Sequence, residues 1–155
     1  MRGGNSKLFY KIGSHAAWPA TGAPTGLTEI KEIGDTSYTR RRARSERRNR
    51  SSLFAGVHLG SYDVIEISFN YEPQSQANSD AVFAALEAAY EAETILSIAY
   101  VDGTQTTANT HGIWDEFVVA DMSRTDPLDA ESTVSVILAL AASRTRDPES
   151  IKTSV

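Results

Sequence analysis

Seven arginines crowd one stretch of the chain, RRRARSERRNR: Arg40, Arg41, Arg42, Arg44, Arg47, Arg48 and Arg50, with Glu46 as the only acid among them. The block carries +6 in a chain of net charge −5, which leaves −11 for everything else. Guanidinium groups at this density recognise phosphates or carboxylates, and each would cost several kcal/mol if buried unpaired. The block therefore reads as an exposed arm that touches nucleic acid, a membrane, or the acidic remainder of another copy of the same chain. Against nucleic acid, it has no interleaved aromatic residues on which bases would stack, and an acidic body repels a polyanion. A +6 arm and a −11 body are complementary to each other, which favours self-association.

No other set of residues offers chemistry. His15, His58 and His111 are scattered on expected loops without metal-ligand spacing, and such histidines are ordinarily solvated. Asp115 and Glu116 are adjacent, so they point to opposite sides of a strand. Asp121 falls on Asp115's side about 20 Å away at ~3.3 Å per residue, too far for two carboxylates to act on one bond. They read as a solvated strand face. Gly3-Gly4 lacks the lysine and hydroxyl of a phosphate loop, and no serine sits in a nucleophile elbow. The sequence points away from an enzyme, and it calls for no metal and no cofactor.

The elements that must position the arm follow from periodicity. At 155 residues the chain has the size of one domain. It has no cysteine, so stability must come from packing or assembly rather than disulfides. No apolar run is long enough for a signal peptide or a membrane span, which predicts a soluble, unsecreted product. Residues 1–26 read as an extended arm: a short β-prone run at Leu8–Ile12, then Pro19, Gly22, Pro24 and Gly26, with Trp18 as a candidate anchor on a neighbouring subunit. Residues 27–142 read as the body. Leu27–Ile33 and Thr36–Thr39 are expected strand pieces split at Gly34-Asp35 by a turn or bulge. The arginine block is expected to be a loop, Arg40 to Leu53, able to reach ~25 Å when folded back on itself.

Ile65, Ile67, Phe69 and Tyr71 alternate with Glu66, Ser68, Asn70 and Glu72, the clearest strand in the chain. After Pro73 and a polar turn, AVFAALEAAYEAE forms the one convincing helix, with Val82, Phe83, Leu86, Ala89 and Tyr90 on its apolar stripe and Asn78, Ser79 or Asp80 as cap. Further strands are expected at Thr94–Val101, Ile113–Met122 and Ser132–Ala142. Asp102-Gly103 and Asp126-Pro127-Leu128-Asp129 supply turns. Residues 143–155 read as a mobile or partner-bound tail. The expected fold class is α+β and mainly antiparallel β: a sandwich or partly closed barrel with one mid-chain helix.

This order of features resembles the tail tube proteins (major tail proteins) of long-tailed bacteriophages. The resemblance is carried by GDTSYTRR (Gly34 to Arg41), ISFNYEP (Ile67 to Pro73), the AALEAAY helix, AYVDGT (Ala99 to Thr104) and the two strands that follow, and it covers roughly residues 27–142. It implies a structural subunit of the virion tail, assembled in the host cytoplasm into hexameric rings that stack helically into a tube conducting DNA during ejection. The implied partners are other copies of the chain, the tape measure protein, and tail terminator or tip proteins. The resemblance also implies that the arginine loop reaches the next ring, placing all seven arginines at an inter-ring interface. A smooth wall for sliding DNA favours acid over base, which makes Glu66, Ser68 and Asn70 candidates for the lumen face. Two other readings stay open at this point: a nucleic-acid-binding protein using the arginine arm, and the tube subunit of a contractile tail, a tailocin or a gene-transfer particle.

Overall fold

The computed structural model describes residues 6–20, 22–31, 33–47, 56–73, 80–103, 110–142 and 149–152. Its elements are β1 (Lys7–Ile12), β2 (Thr28–Glu29), β3 (Ile33–Arg47), β4 (Gly56–Tyr71), α1 (Ala81–Ala92), β5 (Leu96–Val101), β6 (His111–Thr125), β7 (Thr133–Leu140) and β8 (Glu149–Lys152). All strands join one antiparallel sheet in the order β2-β1-β5-β6-β7-β4-β3, with β8 on β6 beyond the end of β7.

The alternation in β4 dictates the main core. Ile65, Ile67, Phe69 and Tyr71 are buried and pack with Val134, Val136 and Leu138 of β7, Phe117 and Val119 of β6, and Leu96 and Ile98 of β5. Five strands laid flat would hold β3 roughly 19 Å from β5 at ~4.8 Å per strand. Yet Tyr38 of β3 meets Tyr100 of β5 with ring centroids 6.0 Å apart. The sheet is therefore curled so that its two halves face each other across the apolar side chains. It does not close: among the described residues β2 and β3 remain edges, so the architecture is a curled open sheet rather than a closed barrel.

The helix plugs this curl. The Asp80 carboxylate caps it by accepting the Val82 and Phe83 N–H groups, both at 3.1 Å, and also accepts the Tyr71 hydroxyl, which ties the helix start to the end of β4. Burial and the Asp80 charge together raise the Tyr10 pKa above its ordinary value. Leu86 and Ala89 are buried and Val82 and Phe83 pack against the core, as the stripe predicts. Tyr90 departs from it and is 47% exposed.

A second, smaller core lies on the opposite face of β1, β5 and β6. Phe9, Ala99, Val101 and Trp114 point to it, and Trp18 and Ile151 cover them. Ile151 belongs to β8: within the tail expected to be mobile or partner-bound, Glu149–Lys152 pair with His111–Trp114 of the same chain. An apolar residue in a polar tail gave no periodicity to read, but two aromatic neighbours on the sheet provide it with a burial site.

Candidate assembly surfaces

The arginine block is not a loop over its first part. β3 runs continuously through Arg47, with Arg40 opposite Ile65, Arg41 opposite Val64, Arg42 opposite Tyr62, Arg44 opposite Leu59 and Arg47 opposite Gly56. Arg48 and Arg50, with the remainder of the expected loop through Leu53, lie outside the described residues. The sequence hid this strand because its side chains show no apolar alternation. The ladder is a property of the backbone and does not require that pattern. Register shifts at Arg41/Arg42 and Arg42/Arg44 bend the ladder locally.

β7 accompanies β4 only from Glu66 to Tyr71. From Ile65 back to Gly56, β4 has β3 as its only ladder partner among the described residues. The hairpin therefore projects as a two-stranded ribbon over some seven residues, roughly 23 Å at ~3.3 Å per residue. Arg40 and Arg41, at its base, are exposed. Two-stranded ribbons are marginal in water by themselves. This one continues a sheet at one end and presents unpaired edges at its sides.

The structure brings Glu66, Ser68 and Asn70 together on the face of β4 opposite the main core. Their ladder partners extend the same surface: Thr39 and Ser37 of β3 on one side, Ala139, Ile137 and Ser135 of β7 on the other. Ser135 Oγ donates to Asn70 Oδ1 at 2.9 Å. A shallow groove crosses this surface, lined by Asp35, Ser37, Ser68, Asn70, Ser135 and Ile137. No described element packs over it, in contrast to the far half of the sheet.

A bulge adds an acid to this face. Val119 stands opposite Leu138, but the next paired residue on β6 is Asp121, opposite Ile137. The extra residue turns Asp121 away from the side of Asp115 on which simple alternation places it, and joins it to the Ser68–Ile137 row. This corrects the expected alignment of the two aspartates.

Trp18 is anchored on its own chain. It packs edge-to-face on Trp114 at 5.6 Å, and its backbone N–H is shared by the two carboxylate oxygens of Glu149, each at 3.2 Å. Trp114 in turn donates its indole N–H to the Ala16 carbonyl at 2.8 Å. Two expectations of solvation fail in the same region. His15 is buried, stacked edge-to-face on Trp114 at 5.2 Å, with its backbone N–H donated to Glu116 Oε1 at 3.0 Å and its Nδ1 3.3 Å from that oxygen. Asp115 and Glu116 are wholly buried, not a solvated face. Glu116 points to the second core and holds the segment around His15; Asp115 points to the main core and accepts the Glu116 N–H at 2.7 Å. Their setting inside the apolar run IWDEFVV was the available signal, because a strand apolar on both sides of its acids leaves them no route to water.

Of the other histidines, exposed His111 donates its backbone N–H to Asp102 Oδ1 at 2.7 Å, closing the turn that Asp102-Gly103 predicts, and His58 lies within the ribbon opposite Ser45. Among the described residues no three His, Cys, Asp or Glu side chains cluster as metal ligands, and no helix is long and apolar enough to cross a membrane.

No family model matches the chain, and neither does any curated protein. Solved structures do. The chain is similar to a subunit of the SPP1 tail tube, with TM-score 0.73 and 13% identity over 100% of this chain and 81% of that one. It is similar to a chain of the virion of the native gene transfer agent particle, with TM-score 0.68 and 7% identity over 97% and 98% of the two chains. It also matches a chain in the tail of the empty gene transfer agent particle, refined with C6 symmetry, with TM-score 0.67 and 8% identity over 99% of each. The fold of this chain is that of tail tube subunits.

Proposed function

We propose that the chain is the structural subunit of a tail tube, forming hexameric rings that stack around a lumen and pass DNA without binding it specifically. The observation that carries the reading is a fold shared along the whole chain with a phage tail tube and with a gene transfer agent tail of sixfold symmetry. Identities this low give the fold and no more, so the assembly is argued from the molecule itself. Two unpaired sheet edges, β2 and β3, suit edge-to-edge joining of identical copies, a head-to-tail contact that closes into a ring. The open face bearing Glu66, Ser68, Asn70 and Asp121 holds acids and small polar groups, which suits a wall past which a polyanion slides. The ribbon that carries Arg40 to Arg47 reaches the neighbouring ring, and Arg48 and Arg50 belong to the same inter-ring interface. The product belongs to the virion tail or to a related particle, with tape measure and terminator or tip proteins as its further partners.

Negative-stain microscopy of the purified full chain tests this reading: rings or tubes are expected, and a protein that stays monomeric at high concentration overturns it. Reversing the charge of Arg40, Arg41, Arg42 and Arg44 to glutamate is expected to abolish tubes and leave a folded monomer. Long tubes from that variant would remove the arginines from the interface.

A further inference from the structure

The second core is closed by residues 14–20, none of which belongs to the main core. Both ends of this segment are tied to the sheet independently of it. Upstream, Ile12 pairs with Leu96, the Gly13 N–H donates to the Ile95 carbonyl at 2.9 Å, and the Gly13 carbonyl accepts Ser97 Oγ at 2.6 Å. Downstream, Thr28 pairs with Tyr10, and the Ile30 N–H donates to the Leu8 carbonyl at 2.9 Å. A glycine in the left-handed region stands on either side of the segment: Gly13 at φ 99 and Gly22 at φ 79, each with open space where a side chain would sit. Glycine turns freely there as no other residue does, so the segment can swing without disturbing the strands that flank it.

What holds it down is narrow. Trp18 lies on Trp114, the Ala16 carbonyl takes the Trp114 indole N–H, and the Trp18 backbone N–H rests on Glu149. At the centre is a charge pair, the His15 imidazole and the Glu116 carboxylate 3.3 Å apart, with neither side chain exposed. Glu116 also accepts the His15 backbone N–H, so one carboxylate grips the segment by side chain and main chain together. The other ionisable groups on this face, among the described residues, are Lys7 and Glu29, which pair with each other at 3.4 Å, Lys11, opposite Ser97, and Glu149, opposite Trp114. Asp115 lies on the reverse face and accepts the Glu116 N–H. Acid acts on an imidazole–carboxylate pair in two steps, protonating imidazoles from about pH 6.5 downward and carboxylates nearer to about pH 4. While Glu116 stays ionised, an imidazolium at His15 keeps its counter-charge. Once Glu116 takes up a proton, a bare imidazolium is left in an apolar setting, which is strongly unfavourable. The hold is therefore present above the titration of the carboxylate and lost as pH falls through it. Swinging out returns His15 to water and leaves the main core, on the other face of the sheet, intact. We propose that residues 14–20 form an acid-opened lid, hinged at Gly13 and Gly22, that the His15–Glu116 pair holds shut over the apolar floor of Phe9, Val101 and Trp114.

Trp18 and Trp114 are the only two tryptophans in the chain, and they touch each other across the lid, so intrinsic fluorescence reports on it directly. Dilute full-length protein is titrated from neutral pH to about pH 4, with far-UV circular dichroism followed in parallel. A reversible red shift of the emission that precedes any loss of the sheet signal is expected. No shift over that range overturns the proposal, as does a shift that coincides with loss of the sheet. Glu116→Gln keeps an acceptor for the His15 N–H and removes the counter-charge, so imidazolium formation alone should open its lid, about one pH unit or more above the wild-type midpoint. An unchanged midpoint removes the pair from the latch. Hydrogen exchange of the wild-type protein supplies a readout that needs no variant. Below the fluorescence step the amides of His15 and Trp18 should lose protection about tenfold or more while those of Ile67, Phe69, Val136 and Leu138 keep theirs. Protection that persists at His15 and Trp18, or that is lost at all six positions together, sinks the lid. Because the lid belongs to the single chain, these outcomes are separate from whether tubes form.

Discussion

The two halves of the sheet are built under opposite rules. Across β1, β5 and the first half of β6 both faces are covered: Leu8, Leu96 and Ile98 meet the main core, while Phe9, Ala99, Val101 and Trp114 meet the second. Across β3, β4 and β7 one face is core and the other is polar and uncovered, with Asn70 and Ser135 exposed. The covered half needs a lid, and the chain makes one from its own N-terminal segment and β8. Among the described residues the open half has no lid, and its hydroxyls, amides and acids are the surface available to something outside it. Covering one half internally leaves the other free without leaving an apolar face in water.

That contrast can be broken by substitution, and the largest effect belongs to the covered half. Trp114 touches His15 and Trp18 and donates to Ala16, so Trp114→Ala removes the platform on which the N-terminal segment rests. A loss of about 3–5 kcal/mol is expected, read by urea denaturation. A loss under about 1 kcal/mol would mean that the second core contributes little and that the two halves do not differ as argued.

Glu116→Ala comes next. It strips a buried carboxylate from His15 and leaves the His15 N–H without its acceptor, at a cost of about 3 kcal/mol. Faster protease cleavage near residues 13–20 should accompany the loss, since that segment is what Glu116 holds.

On the open half, Ser68→Ala and the exposed Asn70→Ala are each expected to change monomer stability by less than about 0.5 kcal/mol, again by urea denaturation. A loss of about 2 kcal/mol at either would mean that this face is structural, not a surface left for a partner. The smallest effect is in the β6–β7 turn. There a hydrogen bond from Ser132, together with the hydrogen bond and charge of Arg124, holds the Asp126 carboxyl below its ordinary value. A depressed carboxylate pKa favours the folded state above the ordinary Asp value and loses that contribution as pH falls through the depressed one. Ser132→Ala should move the Asp126 titration upward in an NMR pH series with no visible change in Tm.

Much of the fold could be read before the structure. The β4 alternation, the helix with Asp80 among its named caps, the irregularity at Gly34-Asp35 and the turn at Asp102 all reappear where local pattern placed them, because each is set by neighbours in sequence. The polar face of β4 was legible for the same reason, since period-two alternation puts Glu66, Ser68 and Asn70 on one side regardless of what surrounds them.

The misses share a cause as well. The burial of His15 and Glu116 depends on a segment about 100 residues away in sequence being laid over one face of β6, and that of Asp115 on the main core over the other; the apolar flanks of IWDEFVV signal the burial but not what covers it. The arginine strand forms because a second strand pairs with its backbone, and backbone pairing is blind to the side chains that marked the segment as a loop. Asp121 changes face through a single bulged residue. The sequence by itself therefore determined which residues seek the core, where the chain turns, and how unevenly its charge is distributed. Only the tertiary structure decided which face each acid joins, which half of the sheet is left open, and that the arginines from Arg40 to Arg47 lie on a strand paired with β4, because those outcomes rest on strand register and on contacts between distant segments.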